Sequence, residues 1–291
     1  MIVLGGPAHN GIGKNLARLI NAEFYEVEHK VFPDGESYVR IPIDVMGKDV
    51  IVVQSTYYPQ DKHIIELLLM TEALDDLKAN SVTAVVPYLA YSRQDRRFRH
   101  GEALSVKTVL QVIRKSGANA LIVVEPHHYD ALSHFEGDAR AADPMPELAA
   151  AFKDVKDAFV LAPDKGALER AQRFAEALGV EFDHLEKLRD RVTGQVSLVT
   201  KPTEKIKGKS VIIVDDIIST GDTMALAAKA AYDAGAKEVL AAAVHGLFVS
   251  KDSVKKLKDA GIKRIVVTNT IPQSSSEVEV VDVSPAIARK I

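Results

Sequence analysis

The sequence predicts an α/β protein made of two duplicated, doubly wound parallel-sheet domains, and three observations lead there. Short Val- and Ile-rich runs alternate with amphipathic stretches along the chain: "MIVLGG", "DVIVVQS", "VTAVVPY", "ALIVVEP", "AFVLAP", "SVIIVDD", "EVLAAAV" and "RIVVTNT". Near-continuous apolar strands separated by helices signal parallel sheets covered on both faces. The order of these pieces repeats at a spacing of roughly 160 residues. The two copies join at "AADPMPEL", residues 141–148, where Pro144 and Pro146 break local structure. The expected domains are residues 1–143 and 144–275, with a tail at 276–291 that alternates as a strand does and packs on the first domain.

The pairing of segments supports duplication. "VLGGPAHNGIGKNLARLINAEF" from Val3 parallels "VLAPDKGALERAQRFAEALGVEF" from Val160, and "VIVVQSTYYPQDKHIIELLLMTEAL" from Val50 parallels "VIIVDDIISTGDTMALAAKAAYDAG" from Val211. "VIRKSGANALIVVEPH" from Val112 parallels "KLKDAGIKRIVVTNTI" from Lys256. The copies differ where polar chemistry gathers. The second has "DDIISTGDT" where the first has "QSTYYPQD". The first carries about a dozen extra residues near "SRQDRRFRHGEA", residues 92–103. Each copy thus keeps one polar device, as expected of two domains serving one composite site.

Composition narrows the functional classes. With 291 residues, 47% hydrophobic, the chain is long enough for two cores. A net charge of −3 gives no global basic field, which argues against a nucleic-acid coat. There is no cysteine, so disulfides, thiolate nucleophiles and cysteine-bound metals are excluded. No apolar run reaches the length of a membrane span, and the start lacks a basic segment leading into an apolar one. The expectation is a cytoplasmic protein with neither nucleic-acid nor membrane partners.

"VIIVDDIISTGDT", residues 211–223, runs from a buried strand through two carboxylates and a small-residue turn into a helix. In open parallel sheets, ligands bind where strands end and helices begin. Ser219, Thr220, Gly221 and Thr223 offer hydroxyls and backbone N–H groups at a helix start, which suits a phosphate. Asp215 and Asp216 repel that phosphate, so they suit a sugar diol or a divalent cation further along the same ligand. Asp222 puts a third carboxylate inside the turn, and the sequence does not explain it.

This arrangement matches the phosphoribosyl pyrophosphate-binding signature of the type I phosphoribosyltransferase fold. Three more segments, "FPDGESYVRI" at 32–41, "YSRQDRRFRHGEALSVK" at 91–107 and "APDKG" at 162–166, resemble in order the signature segments of the ribose-phosphate pyrophosphokinase family. The resemblance covers nearly the whole chain. Physically, Pro33-Asp34-Gly35 reads as a hairpin tip; Phe32 can stack on a base, and Asp34 and Glu36 can accept from an exocyclic amine. The resemblance makes this a flag-like hairpin that holds adenine across a subunit interface, implying a homodimer or larger homo-oligomer. It assigns Phe32, Asp34, Gly35, Glu36, Arg93, Gln94, Asp95 and His128 to ATP. It places magnesium on His127, in "IVVEPHHYD", and on Asp164.

The family's catalytic loop begins with a Lys-x-Arg pattern that Lys187 and Arg189 meet in "LEKLRDRVTG". Two cations there can neutralise transition-state charge on a polyphosphate. The resemblance gives Arg189, Asp215, Asp216, Ser219, Thr220, Gly221, Asp222, Thr223 and Met224 to ribose 5-phosphate. "GGPAHNGIGKN" is neither a Walker A loop nor a dinucleotide fingerprint, because its glycine spacing and Asn15 do not fit. The implied reaction moves the pyrophosphoryl group of magnesium-bound ATP to the anomeric hydroxyl of ribose 5-phosphate. Two rivals remain open: a base phosphoribosyltransferase, and a non-catalytic nucleotide-binding relative.

Overall fold

The computed structural model describes residues 1–185, 204–250 and 252–291, together with the backbone of 187–189 and 196–198. The chain divides into two compact units. The first comprises Met1–Asp143, Thr270–Pro272 and Asp282–Ile291, and the second Pro144–Asn269 and Gln273–Val281.

In the first unit β1 (Ile2–Gly5) leads into α1 (Ile12–Leu19) and β2 (Glu23–Glu26). A separate hairpin follows, made of β3 (Glu28–Val31) and β4 (Ser37–Arg40). Then come β5 (Asp49–Val53), α2 (Gln60–Asp76), β6 (Ser81–Val86), α3 (Ser105–Lys115), β7 (Ala120–Val124) and β8 (Asp138–Ala142). The sheet has the order β2-β1-β5-β6-β7-β8, and all neighbouring strands are parallel. All four residues of β1 are buried, as are Val50–Val53 of β5, which is why the central strands read as unbroken apolar runs. Leu67, Met70 and Leu74 of α2 and Leu110 and Ile113 of α3 close the core against them.

The second unit opens with α4 (Met145–Ala150) and continues through β9 (Ala158–Ala162), α5 (Leu168–Leu178) and β10 (Phe182–His184). A hairpin, β11 (Lys187–Arg189) with β12 (Val196–Leu198), comes next. Then follow β13 (Ser210–Ile218), α6 (Asp222–Asp233), β14 (Glu238–Gly246), α7 (Ser253–Asp259), β15 (Ile262–Thr268) and β16 (Val278–Val281). The order is β10-β9-β13-β14-β15-β16, again all parallel. Counted within its own unit, each strand holds the same place in both sheets, and each unit sets a two-stranded hairpin after its second strand. The extra material of the first copy is also visible: residues 87–104 separate β6 from α3, whereas residues 247–252 separate β14 from α7.

The C-terminal segment divides. Val278–Val281 completes the second sheet, while α8 (Ser284–Ala288) belongs to the first unit, where it packs on α1. Asn15 Nδ2 donates to Asp282 Oδ2 at 3.1 Å, and Ser284 Oγ donates to Asp282 Oδ1 at 2.7 Å.

Candidate active site

The carboxyl end of β13 carries the acidic pair of the second unit. Asp216 is buried and Asp215 nearly so, and the Arg170 guanidinium on α5 faces both, with Nη1 3.9 Å from Asp215 Oδ1 and Nη2 3.7 Å from Asp216 Oδ2. Burial first, then the charge of Asp216, with a further contribution from Asp164, pushes the Asp215 carboxyl well above the usual carboxylate range. Asp164 lies at the end of β9 as the N-cap of a short 3₁₀ turn, its Oδ1 accepting from the backbone N–H groups of Gly166 at 3.0 Å and Ala167 at 3.2 Å. Among the described residues Asp215, Asp216 and Arg170 thus meet at the end of β13, and the charge of Asp164 at the end of β9 is felt there. Carboxylate oxygens at a strand end suit the hydroxyls of a sugar or, one at a time, a hard cation that takes its other ligands from phosphate and water.

After β13 the chain turns through Ser219, Thr220 and Gly221 into α6. Gly221 is in the left-handed region at φ 85°, and a Cβ there would meet Leu257 at 3.2 Å and the Ser253 carbonyl oxygen at 3.3 Å. Conformation and space therefore both call for glycine. α7 braces the turn from outside: Ser253 Oγ donates to the Ser219 carbonyl at 3.2 Å, and Lys256 Nζ reaches Asp222 Oδ1 at 2.6 Å. Asp222 Oδ2 accepts from Thr220 Oγ1 at 2.7 Å. The Lys256 ammonium, followed by the Thr220 hydroxyl, holds the Asp222 carboxyl below its ordinary range. The carboxylate that the sequence left unexplained is therefore paired with a lysine that the sequence gave no reason to single out. Met224 is buried in the apolar core, so its backbone N–H rather than its side chain is what it can offer a ligand.

In the first unit the polar groups gather past β6 and β7. Glu102 folds the arginine-rich segment, its Oε2 accepting from the backbone N–H of Phe98 at 2.7 Å and of Arg99 at 3.0 Å. Those amides, Arg99 first, lower the Glu102 carboxyl below its usual range. Arg93, Arg96, Arg97 and Arg99 are exposed around this fold, and Arg96 lies over the Phe98 ring at 5.1 Å. Asp95 Oδ2 stands 3.4 Å from His128 Nε2, linking this segment to the end of β7. His127 and His128 meet edge to face, with ring centroids 4.8 Å apart. Just before them Glu125 is in the left-handed region at φ 38°, buried, and accepts from Tyr129 Oη at 2.7 Å. A bulky non-glycine residue in that region marks a constrained bend, and here the bend turns the chain toward the histidines.

On the hairpin, Phe32 is exposed beside Tyr38, and Lys30 Nζ lies over both rings at 4.9 and 4.7 Å. Asp34 Oδ1 accepts from the Glu36 N–H across the tip, where Gly35 is in the left-handed region. The side chains of Lys187 and Arg189 lie outside the described residues; their backbone forms β11. Among the described residues no three His, Asp or Glu side chains come together in metal-binding geometry.

Residues 1–117 match the family model described as the N-terminal domain of ribose phosphate pyrophosphokinase, and residues 147–285 match the phosphoribosyl transferase domain. The chain is 58% identical to the ribose-phosphate pyrophosphokinase of Sulfurisphaera tokodaii over the full length of both proteins. To that of Sulfolobus acidocaldarius it is 55% identical, again over both full lengths. The crystal structure of phosphoribosylpyrophosphate synthetase from Mycobacterium smegmatis superposes with a TM-score of 0.87 at 28% identity, covering 99% of this chain and 96% of that one. The paired sheets, the signature segments at their carboxyl ends and these full-length likenesses agree: the chain belongs to the ribose-phosphate pyrophosphokinase family.

Proposed function

We infer that this protein is a ribose-phosphate diphosphokinase, acting on ATP and ribose 5-phosphate to give 5-phosphoribosyl 1-pyrophosphate and AMP for nucleotide biosynthesis. The observation that carries the reading is the pairing, in one chain, of a braced phosphate turn beside an acidic pair with an arginine-rich segment beside two histidines. A base phosphoribosyltransferase needs the first device and has no use for the second.

In this reading Ser219, Thr220, Gly221, Asp222, Thr223 and Met224 form the turn that takes the 5-phosphate, through backbone N–H groups and hydroxyls. Asp215 and Asp216 accept hydrogen bonds from the ribose hydroxyls, orienting the anomeric oxygen toward the β-phosphorus. Arg93, Gln94, Asp95 and His128 contact ATP, while Phe32 stacks on adenine and Asp34 and Glu36 accept from its amine. Arg189 joins the ribose 5-phosphate contacts, and Lys187 and Arg189 neutralise charge on the pyrophosphoryl group as it transfers. The anomeric oxygen bonds to the β-phosphorus, the α,β-bridging bond breaks, and AMP departs with the electron pair. The hydroxyl proton is released to solvent. Positioning and charge neutralisation supply the acceleration, with no covalent intermediate on the protein.

The reaction in this reading calls for magnesium, and a carboxylate at a strand end is a donor of the kind it takes. His127 and Asp164 would hold it, Asp164 being fixed at a strand end within a carboxylate-rich cluster. Magnesium keeps several waters and needs only one or two protein carboxylates when phosphates supply the rest. When bound, it neutralises the polyphosphate and polarises the group that is attacked.

The exposed apolar residues Val31, Phe32 and Tyr38 on the hairpin support a homodimer or larger homo-oligomer with this hairpin at the interface. Among the described residues no helix is long and apolar enough to cross a membrane, and the reading places the enzyme in the cytoplasm. The test is ribose 5-phosphate-dependent release of AMP from ATP by the purified protein. No release in the presence of both substrates and magnesium overturns the reading.

A further inference from the structure

Glu66 on α2 is fully buried and takes no part in the chemistry above, yet three separate segments meet at its carboxylate. Oε1 accepts from Ser37 Oγ at 2.8 Å and lies 2.9 Å from His29 Nε2, both on the β3–β4 hairpin. Oε2 accepts at 3.1 Å from Nε2 of Gln54, just past β5. Gln54 Oε1 in turn accepts from the Ala8 backbone N–H at 2.8 Å. Lys62 Nζ, one helical turn before, stands 3.7 Å from Oε1. A carboxylate taken out of water persists only where donors replace its hydration, and a buried polar network of this kind fixes one arrangement of its members.

The segment most in need of fixing is the hairpin. Its two strands pair only with each other among the described residues, and an isolated two-stranded hairpin is marginally stable in water. The chain Ala8–Gln54–Glu66–Ser37/His29 ties it to the carboxyl edge of the first sheet. In the repeat, Val50 pairs with Val211, so Gln54 stands where the second copy has Asp215. The first copy uses that strand-end position as a link and the second uses it as an acceptor.

We propose that Glu66 is a positioning residue that sets the pitch of the hairpin carrying Phe32, Asp34 and Glu36, and so governs affinity and base selectivity for the nucleotide. This rests on the reading of that hairpin as the holder of adenine.

Glu66→Gln turns an amide N–H toward the Gln54 amide, donor against donor. The double variant Gln54→Glu/Glu66→Gln reverses both ends and restores the Ala8–54 and 54–66 pairs, giving up only the long 3.4 Å bond from Gln54 Nε2 to the His63 carbonyl. Ser37→Ala removes one donor from the exposed side and leaves the other ties in place.

Steady-state kinetics with ATP, GTP and ribose 5-phosphate, together with amide hydrogen exchange over residues 28–40, tests the proposal. Glu66→Gln is expected to raise KM for ATP about tenfold, to lower the ATP/GTP preference by a similar factor and to quicken exchange in the hairpin. KM for ribose 5-phosphate is expected to stay within about twofold, the double variant to recover most of the loss, and Ser37→Ala to shift ATP alone by about threefold. Unchanged KM for ATP in both Ser37→Ala and Glu66→Gln, or equal changes for both substrates, overturns the proposal. Phe32→Ala separates the two layers. If it raises KM for ATP while the Glu66 and Ser37 variants do not, only the positioning role falls. If Phe32→Ala also leaves KM for ATP unchanged, the hairpin does not hold the base and both fall.

Discussion

Lys256 Nζ lies 2.6 Å from Asp222 Oδ1, so the negative charge inside the turn between β13 and α6 carries its own counter-ion, supplied by α7. The carboxylate also fixes the Thr220 hydroxyl at 2.7 Å. If this turn takes the 5-phosphate as proposed, the phosphate meets a neutral pair rather than a bare charge. Lys256→Met exposes that charge and is expected to raise KM for ribose 5-phosphate roughly fivefold at low salt, with KM for ATP unchanged. Adding Asp222→Asn to that variant is expected to reverse most of the rise. Initial-rate kinetics of the two variants at low and high ionic strength checks both points, since screening shrinks the effect.

Burial and the neighbouring Asp216 charge make the ionised form of Asp215 costly. Its folded-state carboxyl titrates well above the unfolded value because of burial and the neighbouring Asp216 charge. A raised folded value means the folded form binds the proton more tightly than the unfolded chain. The associated stability is therefore present below the unfolded carboxylate range and lost as pH rises through the folded value. Asp215→Asn removes this dependence. The metal-free variant is expected to melt a few degrees above wild type at neutral pH, about 2–4 °C per kcal/mol of relief, while its KM for ribose 5-phosphate rises at least about tenfold. Thermal melts in chelator across pH, paired with kinetics, measure both. A variant that melts lower at neutral pH contradicts the account.

Glu102 holds the arginine segment by gathering the Phe98 and Arg99 amides. Glu102→Ala frees both donors in an exposed loop, so global stability is expected to stay within about 0.5 kcal/mol. The arginines lose their shared orientation, and KM for ATP is expected to rise roughly threefold to tenfold. Denaturant titration and ATP kinetics on one preparation separate these outcomes.

Lys187 carries the expectation of transition-state charge neutralisation. Lys187→Ala is expected to lower kcat by at least about 10²–10³ while binding of each substrate changes little. Single-turnover rates with substrate affinities measured by calorimetry check it, and a near-wild-type rate removes Lys187 from the mechanism.

How much of this was legible in the sequence depended on burial. The central strands announced themselves because both faces are covered, as in "VIVV" at 50–53 and "VIIV" at 211–214. The edge strands β2 and β10 gave no such run, since no residue of Glu23–Glu26 or Phe182–His184 is fully buried. The tail alternates as a strand does, and the structure has that strand at Val278–Val281; the helix Ser284–Ala288 leaves too short a pattern to see. "DDIISTGDT" was legible because carboxylates at a buried strand end have few structural uses. Arg170, Lys256 and Glu102 were not. Each lies in an ordinary charged stretch, and each matters through a partner distant in sequence or through backbone groups that no spacing encodes. Glu66 sits in "IIELLLM", where a lone glutamate reads as a helix surface residue; only the fold turns it inward.

The decisive measurement is phosphorus-31 NMR of the purified protein with ATP, ribose 5-phosphate and magnesium. The expected spectrum shows AMP and the pair of coupled doublets of a pyrophosphate on the sugar's anomeric position, growing in equal amounts as ATP falls. ADP with a phosphorylated sugar places the attack at the γ-phosphorus instead. That result, or ATP unchanged while both substrates bind, contradicts the assignment of the acidic pair and the arginine segment to one pyrophosphoryl transfer.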